Sequence, residues 1–227
     1  MVRFVSLVID AFSSVIFIIP TVFILQYAVL KQRLFSKTAA VIMFAVYSMA
    51  VFSITGVPSV NSWNPHLSFN LIPLIDIVNS PPDYIRNTVL NVILFMPFGF
   101  LLPAVWKEYR SLKAVALAGL SLSLFIEILQ IFTFRLTDVD DLITNTAGSV
   151  AGYYISRRFS FKLPWKLPED NEYHHGKYEP VIILDAAFLI TFCLKPLLSG
   201  FLWEKLLSSP LWEVIRSETD TFISLFF

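Results

Sequence analysis

Six long apolar segments constrain this chain more than any other feature of its sequence. They occupy residues 5–30, 39–57, 88–106, 114–134, 139–156 and 181–203. About 20 apolar residues are enough for a helix to cross the hydrocarbon core of a bilayer. Charged residues make up only 15% of the chain, whereas a soluble domain carries about a quarter. We therefore predict an all-α, polytopic transmembrane bundle of about six helices, in which 139–156 is the weakest span.

The distribution of basic residues predicts that the N-terminus lies outside. In that orientation eleven of the 17 Lys and Arg residues fall in cytoplasmic loops, five lie outside and Lys195 lies in a span. Cytoplasmic loops of membrane proteins are enriched in these residues. The first segment is long and no small-residue cleavage site follows it, so we predict a retained helix and not a signal peptide. The single cysteine, Cys193, excludes an intramolecular disulfide, and a net charge of zero gives no support for a nucleic-acid partner.

These segments divide the chain into five predicted regions. The long region before the third helix contains an apolar run, 67–78, that is too short to span the bilayer. We expect that run to lie on the membrane surface or to re-enter the bundle. The regions are an N-terminal hairpin (1–58), an external surface or re-entrant loop (59–87), a three-helix core (88–156), a cytoplasmic connector (157–180), and a sixth helix with an external tail (181–227).

Polar side chains gather at the end of the bundle that this topology places outside. Asn87 and Asn91 are four residues apart and therefore share one helical face. Glu127 is expected roughly 10 Å below the outer boundary, at 1.5 Å of rise per residue. A carboxylate inside a membrane helix costs about 2.5–3.5 kcal/mol, so we expect Glu127 to have a partner. The candidate partners are Arg86, Arg135 and Lys195, and the whole group comprises Asp10, Arg86, Asn91, Glu127, Gln130, Arg135, Asp138, Asp140, Asp141, Asn145 and Lys195.

Several of these features also have purely structural explanations. Gly148 and Gly152 form a Gly-x-x-x-Gly pair, which typically lets two helix backbones approach closely in lipid. Asp138 is placed to cap the fifth helix, and Lys195 is long enough to extend to the interface. For Glu127 two interpretations stay open, a structural ion pair and a role in binding or catalysis. The histidines at 66, 174 and 175 are interpreted as loop residues, and we predict neither a metal nor a cofactor.

Four runs of residues resemble a known family when they are taken in order. They are Asn-Leu-Ile-Pro at 70–73, Asn-Val-Ile-Leu-Phe-Met-Pro-Phe-Gly at 91–99, Glu-Ile-Leu-Gln at 127–130, and Arg-Leu-Thr-Asp at 135–138 followed by Asp141, Asn145, Gly148 and Gly152. Together they are similar to the VanZ-like family. The resemblance implies a bacterial cytoplasmic membrane protein, and the founding member of the family lowers susceptibility to teicoplanin. The chain departs from the pattern at Leu74, and its sixth helix extends beyond it.

Three hypotheses follow for function. In the first, an outward polar pocket binds an amphiphilic envelope lipid, a cell-wall intermediate or a lipoglycopeptide. Its predicted ligand-binding residues are Arg86, Asn91, Glu127, Gln130, Arg135, Asp138, Asp140, Asp141 and Asn145. In the second, the protein is an enzyme acting on a lipid headgroup or cell-wall precursor, with Glu127, Asp138 and Asp141 as candidate catalytic residues that divide acid and base roles or hold a divalent cation. A transporter is the third, and it is disfavoured because the inner half of the bundle is expected to hold little polar besides Asp185. The sequence leaves the oligomeric state open.

Overall fold

A computed structural model describes residues 2–31, 35–61, 69–70, 80–133, 137–159, 177–210 and 212–213. Within these residues the chain forms six helical rods, which confirms the all-α prediction. In chain order the elements are α1 (Val2–Phe23, continued by a π-helical segment, Ile24–Val29), α2 (Phe35–Thr55), β1 (Phe69–Asn70), α3 (Pro81–Val105), a 3-10 turn (Lys107–Tyr109), α4 (Leu112–Gln130), β2 (Thr137–Asp138), α5 (Val139–Phe159), α6 (Glu179–Leu189), a second π-helical segment (Ile190–Leu194) and α7 (Lys195–Leu207).

Five of the rods are long and apolar enough to cross a membrane, and the two helices α6 and α7 form one of them, Glu179–Leu207. The remaining rod, α5, carries Asp140 and Asp141 in its first turn, in agreement with its ranking as the weakest span. The chain is thus a multi-pass membrane protein. Most of the external loop, the loop histidines and the middle of the connector lie outside the described residues, and which side faces outward stays a prediction.

Of the helix boundaries that differ from the sequence prediction, two bear on the site. Helix α3 begins at Pro81, seven residues earlier than expected. Two prolines in its first turn fit the preference of proline for that position, and Asp83 favours the positive end of the helix. Helix α4 ends at Gln130 and not at 134. Glu127 therefore lies in the last turn, about 5 Å from the helix end at 1.5 Å per residue, whereas the predicted end at 134 placed it about 10 Å from that end.

Helices α3 and α5 run parallel and pack backbone against backbone. A Cβ atom added to Gly152 would collide with the carbonyl of Met96, and one added to Gly99 would collide with the carbonyl of Ser149. Gly148 meets the backbone of Val92 in the same way. The Gly-x-x-x-Gly interpretation is confirmed, because only glycine permits this approach. The packing fixes the first turns of both helices side by side at one end of the bundle, which we call the Asp141 end.

The other helices are held by two polar contacts 16 residues apart along each rod. At the first, Glu179 of α6 forms a 2.7 Å ion pair with Lys37 of α2 and accepts a 2.7 Å hydrogen bond from Gln26. At the second, Lys195 of α7 donates to Ser53 of α2 (3.0 Å) and lies 4.0 Å from Asp10. Sixteen residues correspond to about 24 Å of helix. Helix α1 therefore runs antiparallel to α2 and to the α6–α7 rod, and we call the end marked by the first contact the Glu179 end.

These contacts correct two expectations. Lys195 does not extend to the interface, because its side chain is only 15% exposed and its ammonium group is held by Ser53 and Asp10. The half of the bundle predicted to face inward is not nearly empty of polar groups, since Gln26, Lys37 and Glu179 are all buried there. The pattern missed them because each stands at or near a segment end, where a polar residue is ordinarily interpreted as part of a solvated loop.

Candidate functional site

A polar cavity of ≈ 220 Å³ opens at the Asp141 end, between the first turns of α3 and α5. All of its lining residues carry a hydrogen-bonding side chain. They are Ser80, Asp83, Tyr84, Asn87, Thr88 and Asn91 from the α3 side, and Asp138, Asp140, Asp141 and Thr144 from the α5 side. Asn87 and Asn91 both line it, which confirms that they share a face. We call this space the Asp141 cavity.

A hydrogen bond across the helix pair defines the floor of this cavity. The amide Nδ2 of Asn91 donates to Oδ1 of Asp141 over 2.6 Å and approaches Thr144 Oγ1 at 3.4 Å. The Thr144 hydroxyl itself donates to the carbonyl of Asp140 over 2.9 Å. The close packing of α3 on α5 thereby brings the Asn91 amide to a carboxylate and a hydroxyl that lie 50 and 53 residues further along the chain.

Asp138 caps α5, as one of its two interpretations predicted. Its Oδ1 accepts a 2.9 Å hydrogen bond from the backbone N–H of Asp140, the second residue of the helix. Its own backbone N–H donates to Glu127 Oε2 over 3.0 Å. The parallel pairing of β1 with β2, which sets Asn70 beside Asp138, holds the same turn from the other side. Asp138 therefore contributes to the cavity wall while its carboxylate also stabilises the helix start.

Three predicted site residues lie behind the cavity and do not line it. Glu127, Gln130 and Asn145 are all buried. Gln130 donates to the carbonyl of Thr55 at the end of α2 over 2.8 Å, and Asn145 donates to Ser123 Oγ over 2.9 Å. Glu127 is engaged by the Asp138 turn. These side chains connect α4 to α2 and α5, so their direct contribution is to position the cavity wall.

The partners expected for Glu127 are only partly available to it. Arg86 points away and forms a surface ion pair with Asp83 at 3.4 Å, with 67% and 66% of the two side chains exposed. Such an exposed pair contributes about 0–1 kcal/mol. Lys195 is engaged by Ser53 and Asp10. Arg135 lies outside the described residues. The structure thus brings Asn91, Asp138, Asp140 and Asp141 together at the cavity, and leaves Arg86 and Lys195 out of it.

Sequence reasoning missed Ser80, Asp83, Tyr84, Thr88 and Thr144. A signal for the first three was present, because Ser-Pro-Pro-Asp at 80–83 is a typical helix start. Recognising it would have extended α3 outward and placed one more turn of polar side chains beside α5. Thr144 gave no signal of its own. Its position at the cavity depends on how α5 is aligned along α3, and the sequence of α5 alone does not determine that alignment.

The electrostatics of the cavity favour a ligand that donates hydrogen bonds. Four lining carboxylates, at Asp83, Asp138, Asp140 and Asp141, stand at the first turns of α3 and α5. The N-terminus of a helix carries roughly half a positive charge, which offsets part of this negative charge. Ammonium and hydroxyl groups would find acceptors here, and the amides of Asn87 and Asn91 can donate in return. Among the described residues, no group of three or more His, Cys, Asp or Glu side chains is arranged to hold a metal ion.

Comparison with known proteins agrees with this architecture. The family model described as VanZ/LLP1 matches residues 44–160, which include α3, α4, α5 and every residue that lines the cavity. The chain is 43% identical over 86 residues to Protein VanZ of Enterococcus faecium, an alignment that covers 37% of this chain and 50% of that protein. The chain thus spans half the length of this curated relative. No solved structure matches it. Since the family model covers half of the chain, this multi-pass membrane protein belongs to the VanZ/LLP1 family.

Proposed function

We propose that this protein resides in the bacterial cytoplasmic membrane and binds an amphiphilic envelope molecule at the Asp141 cavity. In the topology predicted from basic residues the cavity faces outward, where lipid-linked cell-wall intermediates and lipoglycopeptides are found. The ligand's polar head would enter the cavity while its tail lies along the helices. Such binding would lower susceptibility to the glycopeptide teicoplanin, in line with the resistance associated with the family.

The observation that carries the proposal is the hydrogen bond between Asn91 and Asp141, set in a wall of polar side chains. Keeping polar groups at the mouth of a membrane bundle is costly unless they are satisfied. Here they converge on one space from two helices that glycines hold in contact. A bundle that needed only packing would have no use for ten hydrogen-bonding side chains around one opening.

The size of the cavity limits what it can hold. Its volume of ≈ 220 Å³ is below the roughly 300–1,000 Å³ of a typical small-molecule pocket, which suits one sugar-sized or ammonium-bearing head. A whole glycopeptide would not fit, so teicoplanin would be held by a single polar substituent together with its acyl chain. The proposal is therefore one of head-group recognition.

The alternative, an enzyme acting on a lipid headgroup or cell-wall precursor, has less support from the geometry. Of its three candidate catalytic residues, Glu127 lies behind the cavity and Asp138 is engaged in capping α5. Among these three candidates, only Asp141 has a carboxylate that lines the cavity and takes no part in a helix cap. Turnover of labelled envelope lipids by the purified protein, measured with and without Mg²⁺, would favour the enzyme over the binding protein.

Two substitutions test the binding proposal. Asp141→Asn removes a lining charge with little change in volume, and Glu127→Gln alters the buried support behind it. The teicoplanin susceptibility of cells expressing each variant, and teicoplanin binding to the protein in nanodiscs, are measured side by side. We expect Asp141→Asn to weaken binding about tenfold or more, as loss of a charged hydrogen-bond partner typically does.

The matched control is Glu204→Gln, which removes an acidic charge from an exposed position on α7. It should leave both measurements unchanged. If Asp141→Asn and Glu127→Gln are expressed at normal levels and neither differs from the control, the cavity is not the binding site and the proposal is wrong.

A further inference from the structure

A second opening lies between α4 and α6, toward the Glu179 end and separate from the Asp141 cavity. It is a crevice of ≈ 340 Å³ whose lining is mostly apolar, with Phe98 and Leu102 from α3, Leu117, Ala118 and Leu122 from α4, and Leu184 from α6. We call it the α4–α6 crevice. It lies largely between the region matched by the family model and the α6 helix beyond it.

Three aromatic rings lie at the inner end of the crevice. Phe125 lies 6.4 Å from Phe52 and 5.2 Å from Phe188, measured between ring centroids, and Phe52 lies 5.9 Å from Phe188. Pro180 lines the opposite end, and eight residues separate it from Phe188 on the same rod. This corresponds to a depth of about 12 Å. The hydrocarbon core of one leaflet is roughly 15 Å thick, so the crevice matches the reach of a lipid chain from one leaflet.

The mouth of the crevice is basic. Tyr109 lines it and donates its hydroxyl to the carbonyl of Lys177 over 2.9 Å, which brings the turn after α3 beside the start of α6. Burial raises the pKa of the Tyr109 hydroxyl, and the neighbouring Glu108 carboxylate raises it further, so this donor keeps its proton. Lys107, Arg110 and Lys113 lie within four residues of Tyr109 in the chain, and Lys177 is joined to Tyr109 by that hydrogen bond. All four are exposed, and none forms an ion pair within the described part of the chain.

Apart from Glu179, whose charge is matched by Lys37, two acidic residues belong to the same region, Glu108 in the turn and Asp185 on the crevice wall. Helical side chains tilt toward the N-terminus of their helix, so Asp185 leans toward the basic mouth. Four cations against two carboxylates leave the mouth positive. Each Lys or Arg near a membrane surface attracts anionic lipid. Here the net positive charge lies at the mouth of an apolar crevice whose depth is close to the thickness of one leaflet.

We propose that the α4–α6 crevice is a binding site for one acyl chain of an anionic phospholipid, whose phosphate is held at the basic mouth. The lipid belongs to the leaflet at the Glu179 end, which is the cytoplasmic leaflet in the topology predicted from sequence. Its chain fills the slot between α4 and α6, where the described helices do not close on each other. This site is independent of the Asp141 cavity, so either proposal can fail without the other.

The test measures lipid bound to the detergent-purified protein by native mass spectrometry. The probes are phosphatidylglycerol and phosphatidylcholine with identical acyl chains. Wild-type protein is expected to retain one phosphatidylglycerol, with at least about tenfold preference over phosphatidylcholine. Ala118→Phe fills the crevice and should abolish retention of both lipids. The combined change Arg110→Gln, Lys113→Gln and Lys177→Gln should remove the preference while the acyl chain still binds.

The matched control is Ala39→Phe, at an exposed position near the start of α2, and it should bind lipid as the wild type does. If Ala118→Phe does not fold, Ser121→Phe fills the same space from the next turn of α4. Two results overturn the proposal. One is equal phosphatidylglycerol retention by the wild type and a folded crevice-filling variant, and the other is equal retention of the two lipids by the wild type.

Discussion

The ion pair between Lys37 and Glu179 offers the sharpest test of how this bundle is held together. The two side chains are 4% and 0% exposed and their charged atoms lie 2.7 Å apart. Gln26 supplies a further hydrogen bond to the same carboxylate. The substitution Glu179→Gln keeps the shape of the side chain but removes the negative charge that lies against the Lys37 ammonium. Helices α1, α2 and α6 all meet at this ion pair, so loss of the pair should destabilise the whole bundle.

The size of the effect follows from burial. Removing one partner of a buried ion pair typically costs about 3–5 kcal/mol, because the remaining charge is uncompensated. Insertion scales give about 2.5–3.5 kcal/mol for a lone charge inside a membrane helix. For a protein of this length each kcal/mol shifts the melting temperature by about 2–4 °C. We therefore expect Glu179→Gln to lower the free energy of unfolding by about 3 kcal/mol or more, and the melting temperature by roughly 6–20 °C.

The assay is thermal unfolding in detergent, followed by the loss of the monodisperse peak in size-exclusion chromatography. Glu204→Gln is the control, since it removes the same charge at an exposed position. The exchanged pair, Lys37→Glu with Glu179→Lys, should recover most of the loss because it restores opposite charges at the same site. A Glu179→Gln protein that melts within about 2 °C of the control would refute the reasoning, since a shift that small corresponds to about 1 kcal/mol or less.

Two further predictions concern the helices that form the Asp141 cavity. Gly152→Leu should destabilise the protein by about 1–3 kcal/mol or prevent folding, because the added side chain meets the carbonyl of Met96. Its control, Gly200→Leu on α7, places the side chain in open space and should be neutral in the same unfolding assay. Equal effects of the two substitutions would contradict the close packing of α3 on α5. Asp138→Ala should cost about 1 kcal/mol of stability through loss of the α5 cap, and Asp138→Ser should retain most of it; identical melting temperatures for these two variants would contradict a capping role.

Much of the fold could be predicted from the sequence, because apolar segments of spanning length have few alternatives in lipid. The six rods, the weakness of α5 and the capping potential of Asp138 depend on residues that are close together in the chain. The packing role of Gly148 and Gly152 was predictable for the same reason, since small residues at that spacing present one flat helix face. Helix ends were less certain, and the missed first turn of α3 hid part of the cavity.

The partners of the ionisable groups were not predictable in the same way. Placing Glu127, Lys195 and Asp10 at one end required only helix length and direction, and the structure does connect α2 with both α4 and α7 at that end. Choosing which groups pair required the rotation of each helix about its own axis. That rotation put Lys195 against Ser53 and Asp10 and left Glu127 with the Asp138 turn. The hydropathy of a segment gives almost no information about this rotation of the helix about its axis.

By itself the sequence determined that this chain is an all-α membrane protein of the VanZ/LLP1 type, with polar residues concentrated toward one end. Tertiary structure alone decided that Asn91 meets Asp141, that Glu179 is buried against Lys37 and Gln26, and that a crevice remains between α4 and α6. The physical reason is the separation along the chain of the residues that decide each property. Spanning a bilayer is a property of some 20 consecutive residues, whereas these contacts join side chains that lie 50 to 153 residues apart and depend on how separate helices turn and pack.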